Sequence, residues 1–232
     1  MSLRVVIVGY GRMGKEIEAL AGAHDCEIVD RLDVHNNVSG EGLTPDRLRN
    51  ADVAIDFSTA EATVNNLAHL ASAGVNTVIG TTGWNDHESS MREIVAESKI
   101  GVVVAANFSL GVNLFLGIVE RASALLKQHD DFGAWIHETH HAAKVDAPSG
   151  TALALEAAMR QAGYAAAVDV ASSRVGSVPG VHTVGFDGPF ETITLTHSAR
   201  SRSSFARGAL EAAQWVNGRR GWFTMRDVLG LD

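Results

Sequence analysis

Residues 3–14 read Leu-Arg-Val-Val-Ile-Val-Gly-Tyr-Gly-Arg-Met-Gly, and this stretch decides the fold of the first half of the chain. Its valine-rich apolar run is typical of a strand that is buried on both faces. The run leads directly into the pattern G-x-G-x-x-G, and residues 12–22 then have the apolar spacing of a helix. Because a glycine-rich turn between a buried strand and a helix binds the pyrophosphate of a dinucleotide, the stretch predicts a nucleotide site.

The three glycines of this motif have separate predicted roles. Gly9 permits the tight turn, Gly11 lets the backbone approach the pyrophosphate, and Gly14 allows the helix to pack on the strand. Asp33 lies 19 residues beyond Gly14, at the end of the next predicted strand, where an acid accepts hydrogen bonds from the adenosine ribose. An acid at that position favours NADH, because it repels a 2′-phosphate. Arg12 and Lys15 are nearby cations, so binding of NADPH stays possible.

Strands and helices continue to alternate up to residue 105. The apolar patterns predict strands over 27–32, 52–57, 76–79 and 100–105, with helices over 60–73 and 86–98. This alternation indicates an α/β fold with a Rossmann-type doubly wound parallel sheet.

Ligands of such sheets bind beyond the C-terminal ends of the strands, where this chain carries several small polar residues. We expect Gly80, Thr81 and Thr82 to lie near the nicotinamide ring, because small residues with hydroxyl groups suit close approach to a planar ring. The alternative is that this segment serves only as a capping turn for the following helix.

The second half of the chain has a different pattern, which predicts an α+β substrate domain with an open mixed sheet. We predict helices over 110–127 and 150–162, and strands over 132–138, 168–173, 181–186 and 191–198. Two further helices, at 203–217 and 224–229, are expected to pack back on the first domain. The predicted domains are therefore a dinucleotide-binding domain at 1–108, completed by 205–232, and a substrate-binding and oligomerisation domain at 109–204.

The composition sets limits on the class of protein. A net charge of −8 argues against a nucleic-acid partner that is bound through phosphate neutralisation. The single cysteine, Cys26, cannot form an intrachain disulfide, which suits a reducing compartment. No apolar run approaches the ~18 residues of a membrane span, and the first apolar run is too short for a signal-peptide core. We expect a cytoplasmic protein without a membrane partner.

Residues 137–151, His-Glu-Thr-His-His-Ala-Ala-Lys-Val-Asp-Ala-Pro-Ser-Gly-Thr, concentrate the chemically reactive side chains. His137 to His141 match the zinc-protease pattern H-E-x-x-H, which must lie on a helix for both histidines to share one face. The residues before the motif favour a strand, and Pro148 ends any helix soon after it. No third ligand follows at a familiar spacing, so we predict no metal. A second alternative is a set of surface histidines on a loop.

Acid–base chemistry is the stronger interpretation of the same stretch. Histidine titrates near neutral pH, so His140 or Lys144 can deliver a proton to a substrate carbon or nitrogen. Ser149, Gly150 and Thr151 stand at a predicted helix start, whose free N–H groups form a cradle for a carboxylate. Together with a dinucleotide site, these residues predict a reductase of a small anion with more than one carboxylate.

The run from Glu138 to Thr151 resembles the signature of the dihydrodipicolinate reductase (4-hydroxy-tetrahydrodipicolinate reductase) family. The resemblance covers nearly the whole chain, since the glycine motif, Asp56-Phe57-Ser58, Gly80 to Gly83, Asn107-Phe108-Ser109 and Arg226-Asp227-Val228 stand in the expected order. It implies reduction of 4-hydroxy-tetrahydrodipicolinate to tetrahydrodipicolinate by NADH or NADPH, in lysine and diaminopimelate biosynthesis. It also implies a homotetramer that assembles through the sheets of the second domain.

The resemblance implies a role for each matching residue. His140 would be the proton donor and acceptor, Lys144 a second proton donor, and His141, Gly150 and Thr151 the ligands of the substrate carboxylates. The cofactor contacts would come from Gly9, Tyr10, Gly11, Arg12, Met13, Asp33, Gly80, Thr81, Thr82, Ala105, Ala106, Asn107 and Phe108.

Two segments depart from the family pattern. Val34 stands where many members carry an arginine after the ribose-binding acid, which bears on the choice between NADPH and NADH. The segment 174–186 resembles a shortened form of a longer family loop. Two other functions remain open at this point: an NAD(H)-dependent dehydrogenase of another amino- or keto-dicarboxylate, and a redox sensor that binds NADH without turning it over.

Overall fold

The computed structural model describes residues 1–231. The described chain divides into two compact units, of which the first contains Met1–Ser109 together with the chain from Ser203 onward, and the second contains Leu110–Arg202. Each unit has its own sheet, and the two are described separately below.

The first unit alternates strands and helices as far as Val104 and ends with a helix, a short strand and a short helix. Its strands are β1 (Leu3–Val8), β2 (Cys26–Leu32), β3 (Val53–Asp56), β4 (Asn76–Ile79), β5 (Gly101–Val104) and β10 (Gly221–Thr224). Its α-helices are α1 (Arg12–Ala21), α2 (Pro45–Leu48), α3 (Ala60–Ser72), α4 (Glu88–Glu97), α7 (Ser203–Val216) and α8 (Met225–Leu229).

The sheet of the first unit has the order β10-β5-β4-β3-β1-β2, and all of its strand pairs are parallel. Helices α1 and α7 pack against each other, as do α3 and α4, and β3 is buried along its full length. The chain leaves β1 towards β2 on one side and returns to β3 on the other. The strand order therefore reverses at β1, which is the position where ligands bind in sheets of this kind.

The predicted α/β class and doubly wound parallel sheet are confirmed, with one strand more than expected. The tail of the chain adds β10, which pairs in parallel with β5 at the edge of the sheet. The sequence pattern predicts only helices here, because Gly221–Thr224 is four residues long and has no apolar run of its own. Its conformation depends on the neighbouring strand, which local sequence patterns do not reveal.

Helix α7 approaches the end of β5 so closely that Gly208 has no room for a side chain. A Cβ at Gly208 would lie 1.7 Å from the carbonyl oxygen of Phe108. We expect Gly208→Ala to lower the free energy of unfolding by about 3 kcal/mol, because the helix must move away from the backbone that it covers. Urea unfolding measures this loss. The matched control is Gly22→Ala, which has helical φ and open space around its Cβ, and an equal loss in both variants would contradict the packing argument.

The second unit joins a four-stranded mixed sheet to two helices. Its elements are α5 (Leu110–Leu126), β6 (Gly133–His140), α6 (Gly150–Gln161), β7 (Val168–Arg174), β8 (Val181–Asp187) and β9 (Thr192–Ser198). The strand order is β7-β6-β8-β9, with β6 parallel to β7 and antiparallel to β8. The predicted open mixed sheet is therefore confirmed. Much of the segment 174–186 is strand, and only residues 175–180 connect β7 to β8.

One face of this sheet packs on α5 and α6. The core between them includes Phe115, Ile136, Leu155, Val184 and Phe186, all of which are buried. Inward and outward side chains alternate along β6, as expected of a strand with one covered face. Among residues 1–231, no helix is long and apolar enough to cross a membrane.

Candidate active site

The glycine-rich turn after β1 has the geometry that the motif predicts. Gly9 has φ of +90°, and a Cβ there would lie 2.4 Å from the carbonyl oxygen of Phe57. A Cβ at Gly14 would lie 2.7 Å from the carbonyl oxygen of Gly9, so this glycine lets the helix approach the turn. In contrast, a Cβ at Gly11 would meet no atom within 4 Å. Open space beside Gly11 is what close approach of a pyrophosphate requires.

The start of α1 also fits an anion. Gly11 caps this ten-residue helix without a side-chain hydrogen bond, and no acidic residue stands in the first turn. The first N–H groups of a helix have no partner within the helix, and the helix dipole adds partial positive charge there. Arg12 is exposed and Met13 half-buried at this end of the helix. The residues present therefore fit the phosphates of a dinucleotide.

Asp33 lies beside this turn because the turn is bonded to the end of β2. The N–H groups of Gly9 and Tyr10 donate to the carbonyl oxygen of Leu32, at 2.8 Å and 3.1 Å. The Asp33 carboxylate accepts a hydrogen bond from the backbone N–H of His35 at 2.8 Å, which fixes the loop after β2. The acid that the sequence predicts for the ribose is therefore close to the glycine turn in the fold.

The side chain of Tyr10 is held away from the turn by two charged neighbours. Its hydroxyl donates to Glu18 of α1, and Glu18 in turn accepts from Arg31 Nε at 2.8 Å. The Arg31 guanidinium also lies 6.0 Å from the centre of the Tyr10 ring. Tyr10 is thus part of an ordered cluster, and its backbone is the part that belongs to the turn.

Asp56 is a buried acid that joins the loops after β3 and β4. Its carboxylate accepts from the backbone N–H of Ser58 at 2.8 Å, from the Asn66 amide at 3.0 Å and from the Thr81 hydroxyl at 3.2 Å. Burial raises the pKa of Asp56, while the hydrogen bonds from Ser58, Asn66 and Thr81 act in the opposite direction. The Thr81 side chain therefore faces inward, and Thr82 is the exposed threonine of this segment.

The remaining predicted cofactor residues follow β5. Ala105 donates its N–H to the carbonyl oxygen of Ile79 at 3.2 Å, and Ala106 is exposed. Phe108 is buried, with its ring centre 5.9 Å from that of Phe57. The Phe108 side chain is therefore part of the packing, and a cofactor would meet only its backbone.

In the second unit, the inward face of β6 changes from apolar to polar towards the end of the strand. Ala134 and Ile136 belong to the apolar core, whereas Glu138 and His140 occupy the next two inward positions and are also buried. Since side chains alternate across a strand, these four share one face. The structure corrects the predicted end of this strand, because β6 continues to His140 and does not stop at Glu138.

Glu138, His140, Ser149, Arg174 and His182 form a connected group that we call the His140 cluster. The residues come from β6, from the start of α6, from β7 and from β8. Glu138 is completely buried and contacts Nδ1 of His140. Its other oxygen accepts from Arg174 Nη2 at 2.7 Å and from the Ser149 backbone N–H at 3.3 Å.

The charge of Glu138 is set by these partners. Burial opposes its ionisation, but hydrogen bonds from Arg174, Ser172 and His140 outweigh burial and lower the pKa of Glu138 to about 2. The group is therefore a carboxylate at neutral pH, and it can only accept hydrogen bonds. The cluster brings together a permanent cation, a buried anion and a histidine.

His182 closes the cluster from β8. Its Nε2 lies 3.1 Å from the hydroxyl of Ser149, and its ring stands edge-on to that of His140 with centres 5.0 Å apart. Burial, followed by the nearby charge of His140, lowers the pKa of His182 to about 4. His182 is therefore neutral at physiological pH.

This low pKa predicts how stability depends on pH. As the pH falls from 6.5 towards 4, the unfolded chain binds a proton at residue 182 before the folded chain does. Neutral His182 therefore contributes about 3 kcal/mol to the free energy of unfolding above pH 6.5, and this contribution is lost as the pH falls towards 4. We expect that the free energy of unfolding of His182→Gln changes less with pH in this window than that of the wild type. Urea unfolding at several pH values measures the difference. The control is His87→Gln, a substitution of an exposed histidine that should leave the slope of unfolding free energy against pH at its wild-type value. The same wild-type slope in His182→Gln would contradict the assignment.

The zinc-protease interpretation of H-E-x-x-H is wrong, because the motif does not lie on a helix. His137 faces the outer side of the sheet, where it is exposed and contacts the Ser173 hydroxyl at 2.9 Å. Glu138 faces the opposite side, and His141 lies beyond the strand. The surface-loop alternative does not hold for His140 either, since its side chain is buried and bonded.

A different trio in this region has donor atoms close enough to hold a metal ion. Glu138, His140 and His182 each place one donor atom within 4.8 Å of the others, among the residues that the structure describes. However, the Glu138 oxygens are already bonded to Arg174 and His140. A guanidinium group next to the carboxylate repels a second cation, so we interpret the trio as part of an acid–base cluster.

The other predicted site residues follow β6 in the chain. Lys144 donates to both carboxylate oxygens of Asp146, at 2.7 Å and 2.9 Å, and its backbone N–H donates to the carbonyl oxygen of His141. Gly150 and Thr151 form the first turn of α6, which has no acidic residue. Gly150 is exposed, and a Cβ there would meet nothing within 4 Å. This helix start fits a carboxylate.

Three members of the His140 cluster are not predicted from the sequence. In the sequence pattern Glu138 is only the last residue of a predicted strand, and neither Arg174 nor His182 belongs to a recognisable motif. The available signal is the alternation along β6, where a charged residue takes an inward position that should be apolar. Arg174 and His182 lie 36 and 44 residues beyond Glu138, and only strand pairing brings them close.

These features define a class of protein before any relative is considered. A parallel sheet with a nucleotide-binding turn at its switch point, in a chain with a separate acid–base cluster, is typical of a nicotinamide-dependent oxidoreductase. Residues 3–108 match the family described as dihydrodipicolinate reductase, N-terminus, and residues 111–229 match dihydrodipicolinate reductase, C-terminus. The chain therefore belongs to the dihydrodipicolinate reductase family.

Two curated relatives agree with this assignment over their full lengths. A protein of Thiobacillus denitrificans named 4-hydroxy-tetrahydrodipicolinate reductase is 39% identical, with 100% of each chain covered. A protein of the same name from Christiangramia forsetii is 35% identical, with 98% of each chain covered.

Solved structures support the fold. A dipicolinate-bound dihydrodipicolinate reductase from Paenisporosarcina sp. TG-14 has a TM-score of 0.81 at 24% identity, covering 97% of this chain and 98% of that one. An aspartate dehydrogenase from Thermotoga maritima is more distant, with a TM-score of 0.52 at 13% identity, 94% of this chain and 98% of that chain being covered.

Proposed function

We propose that the chain reduces 4-hydroxy-tetrahydrodipicolinate to tetrahydrodipicolinate with NADH or NADPH, in lysine and diaminopimelate biosynthesis. The observation that carries the proposal is that one reductase family matches both halves of the chain, and three residues of the signature run, Glu138, His140 and Ser149, belong to one buried, hydrogen-bonded cluster. Such a biosynthetic enzyme, with one buried cysteine, would work in the cytoplasm.

The chemistry requires a hydride, a proton and the loss of water. The hydroxyl group of the substrate leaves as water, which creates a conjugated double bond. A bound nicotinamide would supply a hydride to this system and the protein would supply a proton, so that one double bond is reduced. We assign the proton to His140 or Lys144, because both are groups that exchange protons and lie on the same segment of the chain.

The substrate carries two carboxylates, for which the start of α6 provides the main binding group. We propose that the N–H groups of Gly150 and Thr151 hold one carboxylate and that His141 contributes to its binding. The open space beside Gly150 and the absence of acids from the first turn support this role. Ser149 caps the same helix and touches Glu138, so the proposed carboxylate site and the His140 cluster are connected within one unit.

The cofactor would bind to the glycine turn, to Asp33 and to the loops that follow β4 and β5. We propose a preference for NADH over NADPH, because the Asp33 carboxylate favours ribose hydroxyls and repels a 2′-phosphate. Val34 is exposed and brings no cation to this position. The exposed Arg12 is the nearest basic residue of the motif, and it supports residual use of NADPH.

The assembly that we propose is a homotetramer formed through the outer face of the mixed sheet. That face carries Trp135, Thr183, Thr194 and Thr196 on neighbouring strands, and no element of the second unit packs on it. An exposed sheet face of small polar side chains around one tryptophan is suited to pairing with a second copy. Light scattering should give four times the 24.6 kDa chain mass; a monomer at micromolar concentration would contradict the assembly.

The function is tested with freshly made product of dihydrodipicolinate synthase, by following the loss of NADH and of NADPH absorbance. We expect turnover with both cofactors and a higher kcat/KM with NADH. Binding of NADH without any consumption would favour the redox sensor. Consumption only with another amino- or keto-dicarboxylate would favour the alternative dehydrogenase.

A further inference from the structure

We propose that Glu138 is a positioning residue for His140, which fixes the imidazole with its proton on Nδ1 and leaves Nε2 as the atom that exchanges a proton. Arg174 keeps Glu138 in place for this task. The catalytic consequence rests on the proposed function, whereas the state of the imidazole does not.

The hydrogen bond between Glu138 and His140 can have only one direction. The carboxylate is completely buried and receives hydrogen bonds from Arg174 and from the Ser149 N–H on its other oxygen. A carboxylate with these partners has no proton to give, so the proton in the contact with His140 must sit on Nδ1. Neutral His140 then carries no proton on Nε2, and the protonated form carries one there.

Gly180 of the loop before β8 lies next to Nε2 of His140. A Cβ at Gly180 would lie 3.0 Å from Nε2 of His140, so the glycine leaves this nitrogen accessible where any other residue would crowd it. His182 stands edge-on to the ring and is neutral at physiological pH, so it adds no charge that would oppose protonation. Nε2 is therefore the free end of the imidazole.

Two cations of the second unit, Arg174 and Lys144, are each paired with a carboxylate. Arg174 from β7 pairs with Glu138 and also donates to the carbonyl oxygen of Asp146 at 2.6 Å, which ties the cluster to the loop that carries Lys144. Lys144 is paired with the Asp146 carboxylate. Glu138 thus holds Arg174 on one oxygen and His140 on the other, so an imidazolium at His140 would face a carboxylate that is already fixed in place.

The substitution Glu138→Gln makes a sharp test, because the amide has only one acceptor atom. Arg174 and the Ser149 N–H both donate to the same oxygen of Glu138, so the carbonyl oxygen of the introduced amide should take that place. The amide NH₂ group would then face Nδ1 of His140 and donate to it. We expect the neutral imidazole to move its proton to Nε2, and the imidazolium to be disfavoured because two donors would meet.

The state of the imidazole is measured by ¹⁵N NMR of histidine-labelled protein, with His140 assigned by comparison with His140→Gln. We expect the Nδ1–H form in the wild type and the Nε2–H form in Glu138→Gln. We also expect kcat to fall by about 10- to 100-fold, with the alkaline limb of its pH profile, where the proton donor loses its proton, moved to lower pH. Glu156→Gln removes the carboxylate of a surface pair with Arg160 on α6, and it should change none of these quantities.

An Nε2–H imidazole in the wild type would overturn the proposal without any variant being needed. An unchanged tautomer and an unchanged pH profile in Glu138→Gln would also overturn it. If Glu138→Gln does not fold, Glu138→Asp keeps a carboxylate and should retain the Nδ1–H form; its loss there would contradict the proposal. If the wild type does not turn over the dicarboxylate substrate, the proposed function fails while the NMR result still decides the role of Glu138.

Discussion

Replacing His140 by glutamine should lower kcat by about 10²- to 10⁴-fold, the loss expected when a general acid is removed. Glutamine fills a similar space and forms hydrogen bonds, but it cannot deliver a proton near neutral pH. The side chain is buried and paired with Glu138, so its replacement affects a defined contact. Initial rates with saturating NADH measure the change.

The matched control for this variant is His137→Gln. His137 lies three residues earlier on the same strand but faces the outer side of the sheet. It should keep the wild-type kcat, and both variants should bind NADH with the wild-type Kd, because the predicted cofactor residues belong to the first unit. A near-wild-type kcat in His140→Gln would contradict the assignment of His140.

Replacing Lys144 by alanine should also lower kcat by about 10²- to 10⁴-fold, if its ammonium group supplies a proton in the reaction. The KM for the dicarboxylate should rise in addition, because a cation six residues before the start of α6 attracts an anionic substrate. In the free protein the ammonium is held by both oxygens of Asp146, so it is already oriented before substrate binds. Steady-state kinetics at several substrate concentrations separates the two effects.

Lys127→Ala is the control for the loss of a lysine in the same unit. Its ammonium group donates to the carbonyl oxygen of Ala162, after the end of α6 and away from the helix start, so kcat and KM should keep their wild-type values. If both His140→Gln and Lys144→Ala retain near-wild-type turnover, the proton donor is neither residue and the reductase mechanism proposed here is wrong.

The first unit could be predicted closely because its signals are local. A buried strand, a glycine turn and a helix follow one another within residues 3–21, and the same alternation continues to Val104. The strand β10 could not be predicted in this way. Gly221–Thr224 is too short to show a period, and it becomes a strand only through its pairing with β5.

The candidate site in the second unit could be predicted only in part. His140, Lys144 and the start of α6 lie within one segment of the sequence, so their residue types and spacing are visible together. The partners that surround His140 are not visible in the same segment, because Arg174 and His182 come from the neighbouring strands β7 and β8. The roles of the individual site residues stay predictions that the variants described above will decide.

The H-E-x-x-H match shows why a short motif needs its secondary structure. On a helix, His137 and His141 would share one face, whereas on β6 the adjacent residues His137 and Glu138 point to opposite sides of the sheet. The strand period that separates His137 from Glu138 also places Glu138 and His140 on the same face of the sheet.

Direct transfer of a hydride to the substrate tests the central claim most sharply. The wild-type enzyme is given fresh dihydrodipicolinate synthase product and NADH that carries deuterium at both C4 positions, and the reduced product is analysed at once by mass spectrometry. We predict tetrahydrodipicolinate that carries one deuterium atom for each NADH consumed. An unlabelled product, or NADH that stays unoxidised in the presence of this substrate, would contradict the account.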